Sequence, residues 1–189
     1  MADLNLPILD LSELDNGPEA AARFRDDLAA AAHDVGFFYL VGTGIPAELF
    51  RRLQQTARDF FALPEGDKLA IENVNSPHFR GYTRVGGELT QGKVDWREQI
   101  DIGPERDAVT DGPAFNRLIG PNLWPAAQPE LREVAELWRE HLTAIARTLL
   151  RSWAEALGAE ATHFDADFGD PASLLKIVRY PGSHAPEPQ

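Results

Sequence analysis

The sequence predicts a mixed α+β fold in which strands and helices alternate irregularly. In three segments, apolar residues recur at spacings of three and four, which is typical of helices with one buried face. Between them stand short apolar or alternating runs bounded by glycine or proline, which indicate strands. The predicted order is strand, helix, strand, helix, long loop, strand, long helix and strand.

The first four elements are predicted in the N-terminal third of the chain. A loosely alternating run at 6–11 predicts a strand, and Pro18 suits the first position of a helix that Gly36 would end as its C-terminal cap. The continuous apolar run at 37–41 predicts a buried strand. A second helix is expected within 46–64. Its buried face should comprise Leu49, Phe50, Leu53, Ala57, Phe60 and Phe61.

The remaining elements follow a segment without periodicity. Residues 73–95 hold four glycines, so we expect a loop long enough to be functional. Residues 99–103 predict a strand, and 103–128 should be irregular. The longest helix is predicted for 129–157 and a last strand for 174–180. The helix should bury Leu131, Val134, Leu137, Trp138, Leu142, Ile145, Leu149 and Trp153.

Composition restricts the classes of function. The net charge of −12 repels phosphate backbones and anionic membranes, and no apolar run approaches the roughly 20 residues that span a bilayer. The N-terminus also lacks the basic and apolar blocks of a signal peptide. We therefore expect a cytoplasmic protein that binds neither nucleic acid nor membranes. Because cysteine is absent, a transition-metal site would need histidines and carboxylates.

Eight short motifs, in order along nearly the whole chain, resemble one family. They are LPILDL at 6–11, VGFFYLVGTGIP at 35–46, FFALP at 60–64, RGY at 80–82, GE at 87–88, DWRE at 95–98, GPNLWP at 120–125 and RYP at 179–181. Together they resemble the N-terminal region of the isopenicillin N synthase-like iron(II)/2-oxoglutarate oxygenases. The chain departs from many relatives at Thr43, where they carry a histidine that is not an iron ligand.

The resemblance implies a fold and a chemistry. The fold would be N-terminal helices packed against a double-stranded β-helix, or jelly roll, that is incomplete in this chain. Residues 1–125 would form the N-terminal region, and 126–189 the long helix and the first jelly-roll strands. In the family, two histidines and one carboxylate hold iron(II), and 2-oxoglutarate and oxygen are consumed while a substrate is oxidised.

The resemblance also places the iron ligands. The family's first two ligands form a His-x-Asp pair after the strand that ends in Arg-Tyr-Pro. We therefore expect the pair beyond Gln189 and no iron or 2-oxoglutarate bound to the 189-residue chain. His163 and Asp165 spell the same motif but precede that strand, so we interpret them as a coincidental match. His184 has no carboxylate two residues on. No metal ligand or catalytic residue is thus predicted in this chain.

Six residues are expected to contact substrate or co-substrate. In the family the 73–95 loop approaches the mouth of the barrel, and Lys176 and Tyr180 share one face of the last strand. The six are Arg80, Tyr82, Glu88, Thr90, Lys176 and Tyr180. An alternative for Arg80 and Glu88 is that they pair with neighbours and only fix the loop.

Three functional hypotheses are open. The chain is the front part of an oxygenase, or a short non-catalytic homologue that acts as a binding or assembly module, or a helical domain that only echoes the family. The ordered motifs disfavour the third. The first two differ in the reading frame beyond Gln189, which would encode a His-x-Asp pair in one case and a stop codon in the other. Since an incomplete jelly roll leaves strand edges open, we also expect self-association through those edges.

Overall fold

The computed structural model describes residues 6–182 and shows a mixed α+β fold in them. The helices are α1 (Pro18–Ala30), α2 (Ala47–Ala62), α3 (Glu65–Leu69) and α4 (Glu130–Ala156). The strands are β1 (Ile8–Asp10), β2 (Tyr39–Val41), β3 (Gly81–Thr83), β4 (Leu89–Thr90), β5 (Lys93–Val94), β6 (Glu98–Ile102) and β7 (Leu175–Arg179). No described helix is long and apolar enough to cross a membrane.

The described chain forms two compact units. One comprises residues 6–46 and 140–171, and the other 47–139 and 172–182. This division follows packing within each unit. The boundary expected at residue 125 separates two regions of the family's sequence and is not a division by packing. It therefore stays a prediction.

In the first unit, β1 and β2 pair in parallel beside α1. After α1 the chain makes a π-helical turn, Ala31–Val35, and ends it at Gly36. Gly36 has a φ of 82°, a left-handed conformation that favours glycine, and its N–H donates to the Ala31 carbonyl. The predicted cap is therefore confirmed. The buried core of this unit consists of Leu9, Phe24, Leu28 and Ala31.

The predicted burial of residues 37–41 is wrong. Phe37 is 73% exposed and Tyr39 60% exposed, whereas Phe38 and Leu40 pack against the core. A strand is buried on both faces only when other elements cover both. Here β2 belongs to a two-stranded sheet with one face on the core, so alternate aromatic residues point to solvent.

In the second unit, β3, β6 and β7 form an antiparallel sheet with β6 in the centre. One face of this sheet packs against α2 and the first turns of α4. The buried core contains Phe60, Phe61, Ile71, Tyr82, Ile100, Ile102, Leu131 and Ala135. The described residues thus contain a three-stranded sheet and no closed barrel.

The expected loop at 73–95 contains three short strands, which corrects the prediction. β3 pairs with β6, and β4 pairs with β5 as a hairpin. Strands of two or three residues are too short to show a period of two. Gly81 begins β3 with a φ of 102°, and a Cβ there would collide with the Ile71 carbonyl, so this close approach requires glycine.

The bounds of α4 agree with the predicted long helix to within one residue at each end. Its predicted buried face is only partly correct. Leu131 is buried in the core of the second unit and Leu149 packs in the first. Leu137 and Leu142, in the intervening turns, are each more than a third exposed. A continuous apolar stripe therefore does not guarantee continuous burial.

A buried carboxylate joins the helices of the second unit to its sheet. Glu98 accepts hydrogen bonds from Lys68 Nζ (2.9 Å), Tyr82 Oη (2.7 Å) and Arg179 Nη1 (2.9 Å). Lys68 and Arg179 also donate to the Phe61 carbonyl, each at 3.3 Å. Because carbonyls at the C-terminal end of α2 lack helical partners, cations are favoured there.

Candidate functional site

The pairing register divides the three-stranded sheet into a helix face and an opposite face. Ile100 lies opposite Ile177, and both belong to the helix face. One residue further along, Asp101 lies opposite Lys176, so both side chains project from the opposite face. Gln99, two residues from Asp101, shares that face. The opposite face therefore carries polar side chains on the two neighbouring strands β6 and β7.

Six polar side chains on and beside this face form a continuous series of hydrogen bonds and ion pairs, the polar ladder. In order of contact they are Tyr180, Arg97, Glu88, Gln99, Asp101 and Lys176. At one end, Arg97 donates to Tyr180 Oη (3.4 Å) and to Glu88 Oε2 (3.1 Å). These hydrogen bonds hold the pKa of Arg97 above its usual value. This end presents a permanently charged donor.

At the other end the ladder is more deeply buried. Gln99 Nε2 donates to Glu88 Oε1 (3.0 Å) and to Asp101 Oδ2 (2.9 Å). Lys176 Nζ lies 3.4 Å from Asp101 Oδ1. Gln99 is fully buried and Asp101 is 1% exposed, whereas the Lys176 side chain is 32% exposed.

Two buried acceptor atoms at this end lack hydrogen bonds among the described residues: Gln99 Oε1 and Asp101 Oδ1. The amide orientation of Gln99 is fixed, because both neighbours of its Nε2 are carboxylates, which only accept. The contact of Asp101 Oδ1 with Lys176 is an ion pair without hydrogen-bond geometry. Buried acceptors without donors are rare and costly, so these atoms mark the ladder as a candidate binding surface.

Burial raises the pKa of Asp101, and the nearby Lys176 ammonium and Gln99 amide offset this only in part. Desolvation disfavours the ionised carboxylate more than a partly exposed lysine favours it. Lys176 Nζ also lies 5.9 Å from the centre of the Phe79 ring, within range of a cation–π contact.

Asp101→Asn should reduce the dependence of stability on pH. A raised native pKa means that the folded state binds more protons than the unfolded chain above the unfolded value of about 4. Wild-type stability contributed by Asp101 is therefore greatest below that value and falls as the pH rises through the native pKa. Relative to wild type, Asp101→Asn should gain stability as the pH rises above about 4, measured by urea unfolding at a series of pH values.

Asp165→Asn is the matched control, with the opposite sign. Arg151 lowers the pKa of Asp165, so its stabilising contribution is present above the unfolded pKa and lost as the pH falls. This variant should lose stability relative to wild type as the pH rises from acid. Parallel pH profiles for Asp101→Asn and wild type would contradict the raised pKa of Asp101.

Three of the predicted contact residues meet in the ladder. Glu88 lies at its centre, and Lys176 and Tyr180 lie at its two ends. Thr90 belongs to β4, where its backbone pairs with Lys93. The strand pairing brings the first three together although they are far apart in the sequence.

Tyr82 lies on the helix face, away from the ladder. It is buried against Phe60, with ring centres 5.9 Å apart, and its hydroxyl donates to Glu98. Burial and this hydrogen bond raise the pKa of Tyr82 above its usual range. The hydroxyl is therefore held as a neutral donor.

The hydrogen bonds of Arg80 go to backbone carbonyls outside the ladder. Its guanidinium is buried and donates to the carbonyls of His78 (2.8 Å), Phe79 (3.0 Å) and Leu118 (3.1 Å). Burial lowers the pKa of Arg80, although the nearby charge of Asp101 acts to raise it. These contacts correspond to the alternative in which Arg80 fixes the loop. Whether Arg80 and Tyr82 also contact a ligand stays a prediction.

Three ladder residues were not predicted from the sequence: Arg97, Gln99 and Asp101. For the last two a signal was present, because in β6 they alternate with two buried isoleucines. That alternation places Gln99 and Asp101 on the face opposite the core. Arg97 had no comparable signal, since its role depends on where the chain before β6 places Glu88.

The described residues contain no group of three or more His, Asp or Glu side chains that could hold a metal ion. His163 packs edge-on against Phe164, with ring centres 4.8 Å apart. Both oxygens of Asp165 accept hydrogen bonds from Arg151, at 3.0 and 2.7 Å. His184 lies outside the described residues.

Comparison with known proteins locates the chain in a family. Residues 6–127 match the family described as the N-terminal region of the non-haem dioxygenase in morphine synthesis. The chain is 41% identical over 179 residues to the 2-oxoglutarate-dependent dioxygenase frbJ of Dothideomycetidae sp. (strain 11243), covering 94% of this chain and 48% of the relative. It is 32% identical over 188 residues to homoarginine-6-hydroxylase 2-ODD-C23.1 of Arabidopsis thaliana, covering 95% and 57%.

The fold agrees with these sequence relationships. The crystal structure of a 2-oxoglutarate/iron(II) oxygenase family protein from Caulobacter crescentus superposes with a TM-score of 0.77 at 25% identity, covering 93% of this chain and 56% of that one. The chain spans about half the length of the curated relatives it matches. The resemblance predicted from the ordered motifs is confirmed: this chain belongs to the iron(II)/2-oxoglutarate oxygenase family and corresponds to its N-terminal dioxygenase region.

Proposed function

We propose that the chain forms the N-terminal part of a non-haem iron(II)- and 2-oxoglutarate-dependent oxygenase, which oxidises a small organic substrate with O2. The observation that carries this proposal is the polar ladder. Its two ends are Tyr180, for which the family resemblance implies a position facing the cavity, and Lys176, which shares the strand face of Tyr180. Buried polar side chains with open acceptors suit a wall that orients a polar ligand.

In this proposal the chain positions ligands, and the metal supplies oxygen activation. The iron ligands lie outside the described residues. The guanidinium of Arg97 and the hydroxyl of Tyr180 would offer donors to a carboxylate, such as that of 2-oxoglutarate. The Gln99–Asp101 end would offer acceptors. The ladder would thus hold two chemically different groups at its two ends.

The test is expression of the complete reading frame that contains this sequence. The purified protein is loaded with iron(II) without oxygen, and succinate formation from 2-oxoglutarate is followed after oxygen is admitted. We expect succinate that depends on both iron(II) and 2-oxoglutarate. No succinate from a protein that binds iron(II) would contradict the proposal.

The 189-residue chain by itself tests the location of the iron ligands. We expect it to bind no stoichiometric iron(II). A reading frame that stops at Gln189, without iron binding, would favour a short non-catalytic homologue acting as a binding or assembly module. Stoichiometric iron(II) binding that is lost in His163→Ala would instead assign a ligand role to His163 and Asp165.

A further inference from the structure

We infer that the polar ladder binds a cationic nitrogen group of the substrate, which donates hydrogen bonds to Gln99 Oε1 and Asp101 Oδ1. The inference rests on the proposed function, since it names the class of substrate that this face would take. A guanidinium or a protonated amine has the required charge and donors.

The two atoms without hydrogen bonds at this end of the ladder both need a donor. Both open atoms are acceptors, and both are buried. Gln99 cannot rotate its amide to relieve this, because its Nε2 already donates to the carboxylates of Glu88 and Asp101. A ligand that presents a carbonyl or a carboxylate would place a third acceptor against these two. Only a ligand with N–H or O–H donors satisfies them.

The charge of Asp101 favours a cationic donor over a neutral one. Asp101 is the anionic member of the pair. Lys176 lies 3.4 Å from its Oδ1 without hydrogen-bond geometry, and Arg80 is near enough for the charge of Asp101 to act on it. The Lys176 side chain is about one-third exposed and flexible, so its ammonium can move away from Asp101 Oδ1. A ligand cation with well-directed N–H groups would then form a short charge-assisted hydrogen bond in place of the longer ion pair. A neutral donor would gain no such advantage at Asp101.

The position of the other charges along the ladder selects the same end. At the opposite end, Arg97 lies 3.1 Å from Glu88 Oε2 and 3.2 Å from Asp95 Oδ2, so a ligand cation there would have to compete with the Arg97 guanidinium. Glu88, the other carboxylate of the ladder, is occupied by Arg97 and Gln99. The Gln99–Asp101 end is therefore where a substrate cation finds open acceptors and an anion together.

The test compares two nearly isosteric compounds that differ in charge, butylguanidine and butylurea. Each is titrated into the ¹⁵N-labelled 189-residue chain without iron or 2-oxoglutarate, and binding is followed by NMR. We expect butylguanidine to shift the side-chain amide signals of Gln99. It should bind about tenfold more tightly than butylurea, since a charge-assisted hydrogen bond adds at least about 1.4 kcal/mol.

Two variants test whether Asp101 causes the preference for butylguanidine over butylurea. Asp101→Asn keeps the shape of the side chain and should bind the two compounds with similar affinity. Asp165→Asn removes a carboxylate elsewhere and should keep the preference for butylguanidine. Circular dichroism establishes whether each variant folds; if Asp101→Asn does not, the comparison of the two compounds on wild type decides.

Several results would overturn the inference: no binding of butylguanidine, equal binding of the two compounds to wild type, or an unchanged preference in folded Asp101→Asn. Shifts that leave Gln99 unaffected would do so as well. Because binding is measured without cofactors, its failure leaves the succinate assay standing. A failed succinate assay likewise leaves the binding result intact.

Discussion

Glu98→Gln should lower the free energy of unfolding by about 3 kcal/mol or more, because it leaves a buried cation without its counter-ion. The Glu98 side chain is 4% exposed and that of Lys68 12%, so water cannot replace the lost charge. Arg179 is half exposed and contributes less. The neutral amide can still accept one hydrogen bond from Tyr82. Urea unfolding followed by circular dichroism measures the change.

Glu48→Gln provides the matched control, since it removes the charge of an exposed carboxylate that pairs with Arg51 one turn away. Its unfolding midpoint should stay close to that of wild type. The double variant Glu98→Gln/Lys68→Met should lose less stability than the two single variants combined, because neither buried partner is then left charged and alone. Equal midpoints for Glu98→Gln and Glu48→Gln would show that the carboxylate of Glu98 is effectively solvated.

Features that depend on neighbours along the chain could be predicted from the sequence. The helix that begins at Pro18 and stops at Gly36 is an example, since its periodicity and its glycine cap act within a few turns. The bounds of α4 could be predicted for the same reason. The family resemblance belongs to this class too, because ordered motifs need no knowledge of packing.

Features that depend on distant partners could not be predicted. The exposure of Tyr39 results from β2 having a single sheet partner, which a run of apolar residues does not reveal. The strand Gly81–Thr83 exists because β6 pairs with it and Gly81 lets the backbone pass close to Ile71. Neither partner is visible in a local window of sequence.

The candidate site combines features that depend on neighbours along the chain with features that depend on distant partners. The alternation of Gln99 and Asp101 with isoleucines could be read locally, and so could the shared face of Lys176 and Tyr180. The ion pair between Asp101 and Lys176 depends on the register between β6 and β7, which the sequence does not state. The family resemblance predicted ligand contacts in the glycine-rich loop, whereas the open acceptors lie on strand β6.

Arg80→Lys should lower the free energy of unfolding by about 2–3 kcal/mol, since a buried guanidinium shared by three carbonyls is replaced by a point charge. The fork reaches His78 and Phe79 on one side and Leu118 on the other. An ammonium cannot span both sides, so the link to Leu118 should be lost. Urea unfolding gives the energy, and backbone amides of 114–120 should exchange faster with deuterium.

The two roles considered for Arg80 make different predictions for this variant. If Arg80 fixes the loop, stability falls while butylguanidine affinity at the ladder is retained. The hydrogen bonds of Arg80 go to backbone carbonyls outside the ladder, and lysine keeps the positive charge that acts on Asp101. If Arg80 instead contacts the ligand, stability stays near wild type and binding of substrate or 2-oxoglutarate to the complete protein weakens. Arg84→Lys, which alters an exposed pair with Glu72, controls for the substitution itself and should change neither. Because three carbonyls converge on one buried guanidinium, we expect the first outcome.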